Sequence, residues 1–286
     1  MPQSVFITGC SLGGLGDALA QEFHRQGLHV IASARNVSKM DHLVKMGIDV
    51  VELDTTDDRS IQAAVAKVHE LTGGQLGILV NNAGGLYNSP ILDISFSEAK
   101  AMFDLNFWSY IAVTQAFTPL LRRAKDAKVV MQTSIASVSP LPWFGIYAAS
   151  KAAMASLADT LRLELQPFNI KVIELKTGCV KSVIFKNQNV GAKPRLPENS
   201  IYSPAREIIE DSMLGKTIDD RSITAESWAR CVVSGILKSN PPYRIWKGTE
   251  STVVWASLLL PASILISIVT KMTKLDQVTE IMKLSY

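Results

Sequence analysis

Short apolar runs alternate with helical patterns along most of this 286-residue chain. Strands are predicted where the runs are short, apolar and rich in β-branched residues, at 5–8, 28–34, 50–54, 78–80, 129–131 and 172–176. The first helical pattern runs from Ala18 through Phe23 and ends at Gly27. Repeated strand–helix–strand units predict a parallel sheet with helices on both faces. We therefore expect one doubly wound α/β domain over residues 1–250, followed by an apolar segment at 251–286.

A glycine-rich turn joins the first predicted strand to the first predicted helix. Gly9, Gly14 and Gly16 allow the backbone to approach a pyrophosphate closely. The N-terminus of the following helix offers unpaired N–H groups and the positive end of a dipole. Tight turns also need glycine, but a turn between a strand and a helix is the context of dinucleotide binding. A dinucleotide cofactor is therefore expected here.

The end of the second strand indicates which dinucleotide binds. Enzymes that prefer NAD place a carboxylate there for the ribose 2′-hydroxyl, whereas this chain has Arg35, with Ser33 nearby. A guanidinium pairs well with the 2′-phosphate of NADP, although a solvated arginine at a strand end is the simpler alternative. NADPH is the expected cofactor, and Asp54, at the end of the third strand, is expected to face its adenine.

Tyr147 and Lys151 are four residues apart in a predicted helix and would share one face. A nearby ammonium favours the phenolate, so it lowers the pKa of a tyrosine. Acid–base work at neutral pH needs a shift of roughly 3 units from about 10, and a positively charged nicotinamide would add to the lysine. Alone, this spacing is equally typical of a surface pair. Ser134 follows the fifth strand, at the carboxyl edge where open α/β sheets bind ligands.

Together these motifs resemble the classical short-chain dehydrogenase/reductase family, which has a Rossmann fold. The resemblance covers residues 5–183 and rests on Thr8-Gly9, Gly14-x-Gly16, Asn81-Asn82-Ala83-Gly84, Asn106, Ser134 and Tyr147-x-x-x-Lys151. It implies that Tyr147 protonates a ketone oxygen during hydride transfer and that Ser134 hydrogen-bonds the same oxygen. It further implies that Lys151 lowers the pKa of Tyr147 and holds the nicotinamide ribose, and that Asn106 fixes a water that relays protons. The implied cofactor-binding residues are Gly9, Ser11, Gly14, Gly16, Arg35, Asp54, Asn82, Tyr147, Lys151, Val180 and Ser182.

The chain departs from the family pattern at two places. Four residues rather than three separate Gly9 from Gly14, with Gly13 as the extra one. Glycine is the least disruptive insertion in a tight turn, so cofactor binding is expected to survive. After the sixth strand, Thr177 stands where the family often has proline. Val180 is expected to offer its backbone to the carboxamide.

The last third of the chain contains two features that bear on the substrate. Residues 183–225 are expected to form a substrate lid with a helix pair, and its Lys186, Lys193 and Arg195 either bind a substrate phosphate or carboxylate or belong to a solvated loop. Residues 252–270 carry no charge, and Pro261 is expected to kink them. Three placements stay open for this segment: a membrane-spanning helix, a hairpin in one leaflet, or a helix pair in a dimer interface or over the substrate pocket.

Composition excludes several other classes of protein. A net charge of +3 is too small to indicate nucleic-acid binding. Cys10, Cys179 and Cys231 are widely spaced, which argues against a disulfide framework and a zinc site and is typical of a reducing compartment. The four histidines lie in the first quarter of the chain, and no metal site is expected. No signal peptide is expected either, because the first strand begins almost at once, so an intracellular location is anticipated.

These features predict an NADPH-dependent carbonyl reductase. The glycine loop, Thr177-Gly178 and the apolar segment resemble the NADPH-dependent 1-acyldihydroxyacetone-phosphate reductases, a branch found at the endoplasmic reticulum and lipid droplets. A lipid-like ketone such as 1-acyldihydroxyacetone phosphate is therefore the expected substrate. The expected location is the surface of the endoplasmic reticulum or of a lipid droplet, with the cytoplasm as the alternative. Ketoreductases of specialised metabolism, acting on polyketide or terpenoid carbonyls, share the same framework. A non-catalytic NADP(H)-binding protein is a remote alternative, and a homo-oligomer is typical of the family.

Overall fold

The computed structural model describes residues 3–185, 194–216 and 222–285. Its strands are β1 Ser4–Thr8, β2 His29–Ala34, β3 Asp49–Glu52, β4 Ile78–Asn81, β5 Lys128–Gln132, β6 Lys171–Thr177, β7 Val180–Lys181, β8 Ile223–Thr224 and β9 Arg244–Lys247. Seven of them form one sheet in the order β3-β2-β1-β4-β5-β6-β9, and every pairing in it is parallel. The short β7 and β8 pair separately. The predicted doubly wound Rossmann sheet is confirmed.

Helices connect the strands and cover both faces of the sheet. They are α1 Leu15–Arg25, α2 Asp41–Lys45, α3 Asp58–Thr72, α4 Phe96–Phe103, α5 Ser109–Leu121, α6 Gly145–Leu165, α7 Arg206–Met213, α8 Ala225–Ile236, α9 Ser251–Ser257, α10 Ala262–Met272 and α11 Leu275–Ser285. The strand order reverses direction between β1 and β4. In an open parallel sheet, the carboxyl ends of strands at such a reversal leave a crevice, and ligands bind there.

Burial on both faces explains the continuous apolar character of the strands. Side chains alternate along β1, so Val5 and Ile7 belong to a core that includes Trp228 of α8. Phe6 points to the other face and stacks on Phe117 of α5, with 4.6 Å between the ring centroids. These two cores hold the carboxyl ends of the strands in a fixed arrangement.

The apolar segment at 252–270 folds as two short helices. The break expected at Pro261 is present: α9 ends at Ser257, and α10 begins at Ala262, directly after the proline. Within the described residues, no helix is long and apolar enough to cross a membrane. A spanning helix at 252–270 is therefore not what the structure shows.

The region expected to form a lid is partly described. Of the predicted helix pair, α7 lies within 183–225 and α8 begins at its end. Ile209 and Met213 of α7 pack with Val278 of α11 in a small separate core. Lys186 and Lys193 lie outside the described residues, whereas Arg195 is exposed.

Candidate active site

A cleft of about 1100 Å³ opens at the carboxyl edge of the sheet. The predicted site residues on its wall are Gly9, Ser11, Gly14, Arg35, Asn82, Ser134, Tyr147, Lys151, Val180 and Ser182. Gly16, Asp54 and Asn106 do not line the cleft, and their contacts are described below. The structure thus brings together residues that are up to 173 positions apart in the chain, from Gly9 to Ser182.

The turn after β1 is packed too closely for side chains. A Cβ on Gly16 would lie 2.4 Å from the carbonyl oxygen of Gly9 and 2.5 Å from the Asn82 amide nitrogen. Gly9 has a positive φ of 76°, and its Cβ would lie 2.8 Å from the Cα of Ala83. The N-cap of α1 is Gly14, which gives no side-chain cap. The first amides of α1 therefore remain available to an anion, so the turn fits the pyrophosphate of a dinucleotide.

The extra glycine of this turn is held by α1 itself. Gly13 has a φ of 77°, and its N–H donates to the Asp17 carboxylate over 2.8 Å. Asp17 is buried and also bonds the ring nitrogen Nε2 of His42 at 2.8 Å. Neither residue could be predicted for this role from the sequence, because the Asp17–His42 contact depends on how α1 and α2 pack. The inserted residue is therefore accommodated without opening the turn.

The end of β2 carries two basic side chains on the cleft. Arg35 lines the cleft, and so does Lys39, which lies four residues further along the chain and was not among the predicted residues. Ser33 does not reach the cleft, because its hydroxyl is buried and donates to the Ile7 carbonyl over 2.9 Å. The positive charge expected at the end of β2 is therefore present on the cleft. Lys39, rather than Ser33, lies there with Arg35.

Asp54 is turned toward its own loop. Its carboxylate accepts hydrogen bonds from the N–H and hydroxyl of Thr56, at 2.9 and 2.7 Å. Although partial burial favours the neutral acid, these bonds and the charge of Arg35 hold the pKa of Asp54 below its ordinary value. Its neighbours Leu53 and Thr55 line the cleft instead. A direct contact of the Asp54 side chain with adenine stays a prediction.

Tyr147 and Lys151 lie one turn apart on α6, and Ser134 faces them from the loop after β5. The Ser134 hydroxyl accepts a hydrogen bond from the N–H of Ala136 at 3.1 Å, so its own proton remains available to donate. The Lys151 ammonium donates to the Gln132 carbonyl at 2.9 Å and lies 5.9 Å from the Tyr147 ring centroid. A phenol, a hydroxyl and an amine thus converge on one wall of the cleft.

Burial is the main cause of the pKa shifts of Tyr147 and Lys151. Loss of hydration raises the pKa of Tyr147, while a hydrogen bond with Ser134 lowers it in part. Burial also lowers the pKa of Lys151 from 10.5 to about 7. The pKa of Tyr147 is therefore raised overall, and its lowering by Lys151 stays a prediction. A lysine that is only partly charged near neutral pH cannot offset the burial of a phenolate.

Asn106 is fully buried in a π-helical turn, Asp104–Trp108, between α4 and α5. Its amide clamps Gly85: Oδ1 accepts from the Gly85 N–H at 2.9 Å, and Nδ2 donates to the Gly85 carbonyl at 3.1 Å. A Cβ on Gly84 would lie 3.0 Å from Asn106 Oδ1 and 3.6 Å from the Lys151 nitrogen. The asparagine therefore shapes the loop beside Lys151, and its water-binding role stays a prediction.

The loop after β6 is fixed without a proline. The Thr177 hydroxyl accepts from the Gln132 side-chain amide at 2.8 Å, and the Gly178 N–H donates to the Lys247 carbonyl at 2.8 Å. A Cβ on Gly178 would lie only 2.1 Å from the Thr249 carbonyl oxygen. Val180 and Ser182 follow this anchored segment onto the cleft wall.

Helices α9 and α10 supply a largely apolar wall of the cleft. The residues of α9 and α10 on the cleft are Val253, Val254, Ser257, Leu265, Ile268, Val269, Lys271 and Met272. Residues 252–270 thus form a helix pair along the cleft, which agrees with one of the three placements considered. Whether the outer side of this pair contacts a membrane or a second copy of the chain stays a prediction.

Lys151→Met tests the effect of burial on the amine. The pKa of Lys151 is about 7 in the folded protein, against 10.5 for an ordinary lysine. As pH rises above 7, the folded protein therefore loses this proton while the unfolded chain keeps it. The free energy by which the buried charge destabilises the folded state falls accordingly. The stability gained by Lys151→Met over the wild type should be about 2 kcal/mol greater at pH 6 than at pH 8.5. Urea unfolding measures it, with the exposed Lys100→Met as control; equal gains at both pH values would contradict the shift.

Known proteins share these features over most of the chain. The profile of the short chain dehydrogenase family matches residues 3–193. A short-chain dehydrogenase/reductase of Pestalotiopsis microspora is 39% identical over 278 residues, which are 97% of this chain and 96% of that protein. An NADPH-dependent 1-acyldihydroxyacetone phosphate reductase of Schizosaccharomyces pombe is 35% identical over 260 residues, 90% of this chain and 86% of that protein.

Solved structures share the fold. A short-chain dehydrogenase from Streptomyces avermitilis superposes with a TM-score of 0.77 at 24% identity, covering 98% of both chains. A short chain dehydrogenase from Burkholderia cenocepacia, solved in complex with NADP, has a TM-score of 0.72 at 20% identity and covers 94% of this chain and 97% of its own. By its sequence profile and its relatives, the chain belongs to the short-chain dehydrogenase/reductase family of oxidoreductases, whose Rossmann fold binds NAD(P).

Proposed function

We propose that this protein is an NADPH-dependent carbonyl reductase that acts on a lipid-like ketone, with 1-acyldihydroxyacetone phosphate as the leading candidate. One observation carries the proposal: Ser134, Tyr147 and Lys151 share a single cleft with the glycine turn and with the apolar wall of α9 and α10. This convergence goes against a non-catalytic NADP(H)-binding protein, which would not need a hydroxyl and a phenol aimed at the same space.

The chain's own groups suit the reduction of a ketone. When bound, a nicotinamide cofactor supplies hydride to the carbonyl carbon. Tyr147, whose raised pKa keeps it protonated at neutral pH, gives its proton to the carbonyl oxygen. Ser134 donates a hydrogen bond to the same oxygen as negative charge develops there. Lys151 holds the ribose and, with Asn106 and a bound water, returns a proton to Tyr147.

The cofactor is held by groups from five parts of the sheet edge. Gly9, Ser11, Gly14 and Gly16 form the pyrophosphate turn, and Arg35 with Lys39 receives the 2′-phosphate. In this proposal the remaining contacts come from Asp54, Asn82, Val180 and Ser182.

The substrate class follows from the wall formed by α9 and α10. Its aliphatic side chains suit an acyl chain, while Lys271 and Lys274 on the same cleft suit a phosphate. The Schizosaccharomyces pombe relative, named as a 1-acyldihydroxyacetone phosphate reductase, supports this choice. A second candidate is a ketoreductase of specialised metabolism, because an apolar wall also suits a bulky polyketide or terpenoid ketone.

Membrane association is also part of the proposal. The outer side of α9, α10 and the turn between them exposes Trp255, Leu258, Leu259, Leu260, Ile264 and Ile266. We define these six residues as the tail face. Large exposed apolar side chains on short helices are typical of a segment that lies in a lipid interface. Residues 1–250 would then be the catalytic domain and 251–286 the part that contacts the endoplasmic reticulum or a lipid droplet.

The function is tested by NADPH oxidation with a substrate panel. Acyl-dihydroxyacetone phosphate should be turned over, and bulky neutral ketones of similar size should react at least about tenfold more slowly in kcat/KM, because they lack the group that Lys271 and Lys274 receive. Tyr147→Phe should abolish turnover and leave NADPH binding within about twofold. Turnover of neutral ketones alone would favour specialised metabolism, and an active Tyr147→Phe variant would remove Tyr147 from the mechanism.

Arg35→Asp tests the choice of cofactor. The new carboxylate repels the 2′-phosphate and suits a 2′-hydroxyl, so the ratio of kcat/KM with NADPH to that with NADH should fall by about a hundredfold or more. Arg230→Asp makes the same change of charge at an exposed position on α8 and should leave the ratio unchanged. An unchanged ratio in Arg35→Asp would contradict the assignment.

Flotation with vesicles of phosphatidylcholine and phosphatidylserine tests the tail face. The wild type should float, whereas Leu259→Glu/Ile266→Glu should stay in the dense fraction, since both side chains point away from the cleft and are 81% and 56% exposed. Leu284→Glu, at an 89% exposed position on α11, is the matched control and should still float. A wild type that dimerises but does not float would assign the tail face to a homo-oligomer.

A further inference from the structure

A buried ion pair lies directly behind the loop that carries Ser134. Glu174 and Lys176 occupy alternate positions on β6, with side chains 0% and 3% exposed, and their charged atoms are 2.7 Å apart. Glutamate and lysine are almost never buried this completely unless they are paired. The catalytic scheme above uses neither of them.

The pair forms hydrogen bonds to the Ser134 loop on both sides of the serine. Before it, the Thr133 hydroxyl donates to the Glu174 carboxylate at 2.8 Å. After it, the Lys176 ammonium donates to the Ser137 hydroxyl at 2.7 Å, and that hydroxyl donates to the Ser134 carbonyl at 2.5 Å. Each of the two charges is thus tied to one flank of the loop.

The Glu174 carboxylate and the Lys176 ammonium each make a further contact with β9. The second carboxylate oxygen of Glu174 accepts from Arg244 of β9 at 3.1 Å. The Lys176 ammonium lies 5.8 Å from the ring centroid of Trp246. Both charges are therefore fixed in direction by β6 and β9, which makes them rigid anchors for the loop.

Stability does not explain this arrangement. Burying two charges costs hydration that their attraction only just offsets, and apolar side chains of the same volume are often as stable. A hydrogen-bonded charge does fix the direction of its partners, which apolar contacts do not. The Ser134 loop is where a fixed direction affects the reaction, because a hydroxyl displaced by about 1 Å loses much of its effect on a transition state.

We infer that Glu174 and Lys176 are positioning residues that hold the Ser134 hydroxyl at the reacting oxygen through Thr133 and Ser137. The inference rests on the proposed function, since it concerns the same reaction. Neither residue touches the substrate. Their effect reaches the chemistry only through Ser134.

Ser137→Ala releases one flank of the loop without unpairing the buried charges. With NADPH and 9,10-phenanthrenequinone as a test ketone, kcat should fall about tenfold or more, while the dissociation constant for NADPH stays within about twofold. The pH above which kcat falls should also move upward, because a displaced Ser134 no longer lowers the pKa of Tyr147. Glu174→Gln/Lys176→Met removes both charges together and should show the same pattern.

Coupling to Ser134 separates positioning from a general structural role. In a Ser134→Ala background, Ser137→Ala should cause no further loss of kcat, because the group that it positions is already gone. Asp159→Asn is the matched control: Asp159 bonds Arg244 at the exposed outer end of the same network, and its loss should leave kcat unchanged. Losses that multiply in the double variant, or a Ser137→Ala enzyme with wild-type kcat, would overturn the inference. An active Tyr147→Phe variant would instead overturn the proposed function.

Discussion

The close approach of the turn after β1 to the end of β4 is the contact on which the cleft depends. The Thr8 hydroxyl accepts the N–H groups of Asn82 and Ala83, both at 2.9 Å, and the Asn82 amide donates to the carbonyl of Thr8 at 2.8 Å. These bonds join two strands at the point where the strand order reverses. A glycine at position 16 is required because Asn82 reaches so far under the turn. With the two strand ends joined, Gly14 and Leu15 at the start of α1 line the cleft.

Hydration, more than proximity of charge, determines the state of the catalytic group. Tyr147 and Lys151 have the spacing of an interacting pair, yet burial shifts both toward their neutral forms. A neutral phenol is the form that donates a proton, which suits the carbonyl reduction that we propose. Oxidation of an alcohol would need the phenolate, which calls for additional positive charge in the cleft.

Structural features that depend on short stretches of chain could be predicted from the sequence. The strands, the glycine turn and the shared face of Tyr147 and Lys151 follow from local spacing, and the structure contains all of them. The misplaced groups depend on contacts between distant segments: Ser33 bonds β1, and Lys39 rather than Ser33 joins Arg35. The position of 252–270 over the cleft could not be chosen from its composition, because an apolar surface carries no information about which other surface covers it.

The packing of α11 on α7 has a consequence for the synthesis of the chain. Gly9 and Gly16 of the glycine turn, and Asn82 and Ala83, which contact them, lie in the first third of the chain. The apolar wall of the cleft comes from α9 and α10, and Val278 anchors α11 to α7. During translation, the glycine turn and strands β1 to β6 emerge from the ribosome before this wall does. The apolar lining of the cleft is therefore completed only after α9, α10 and α11 have been synthesised.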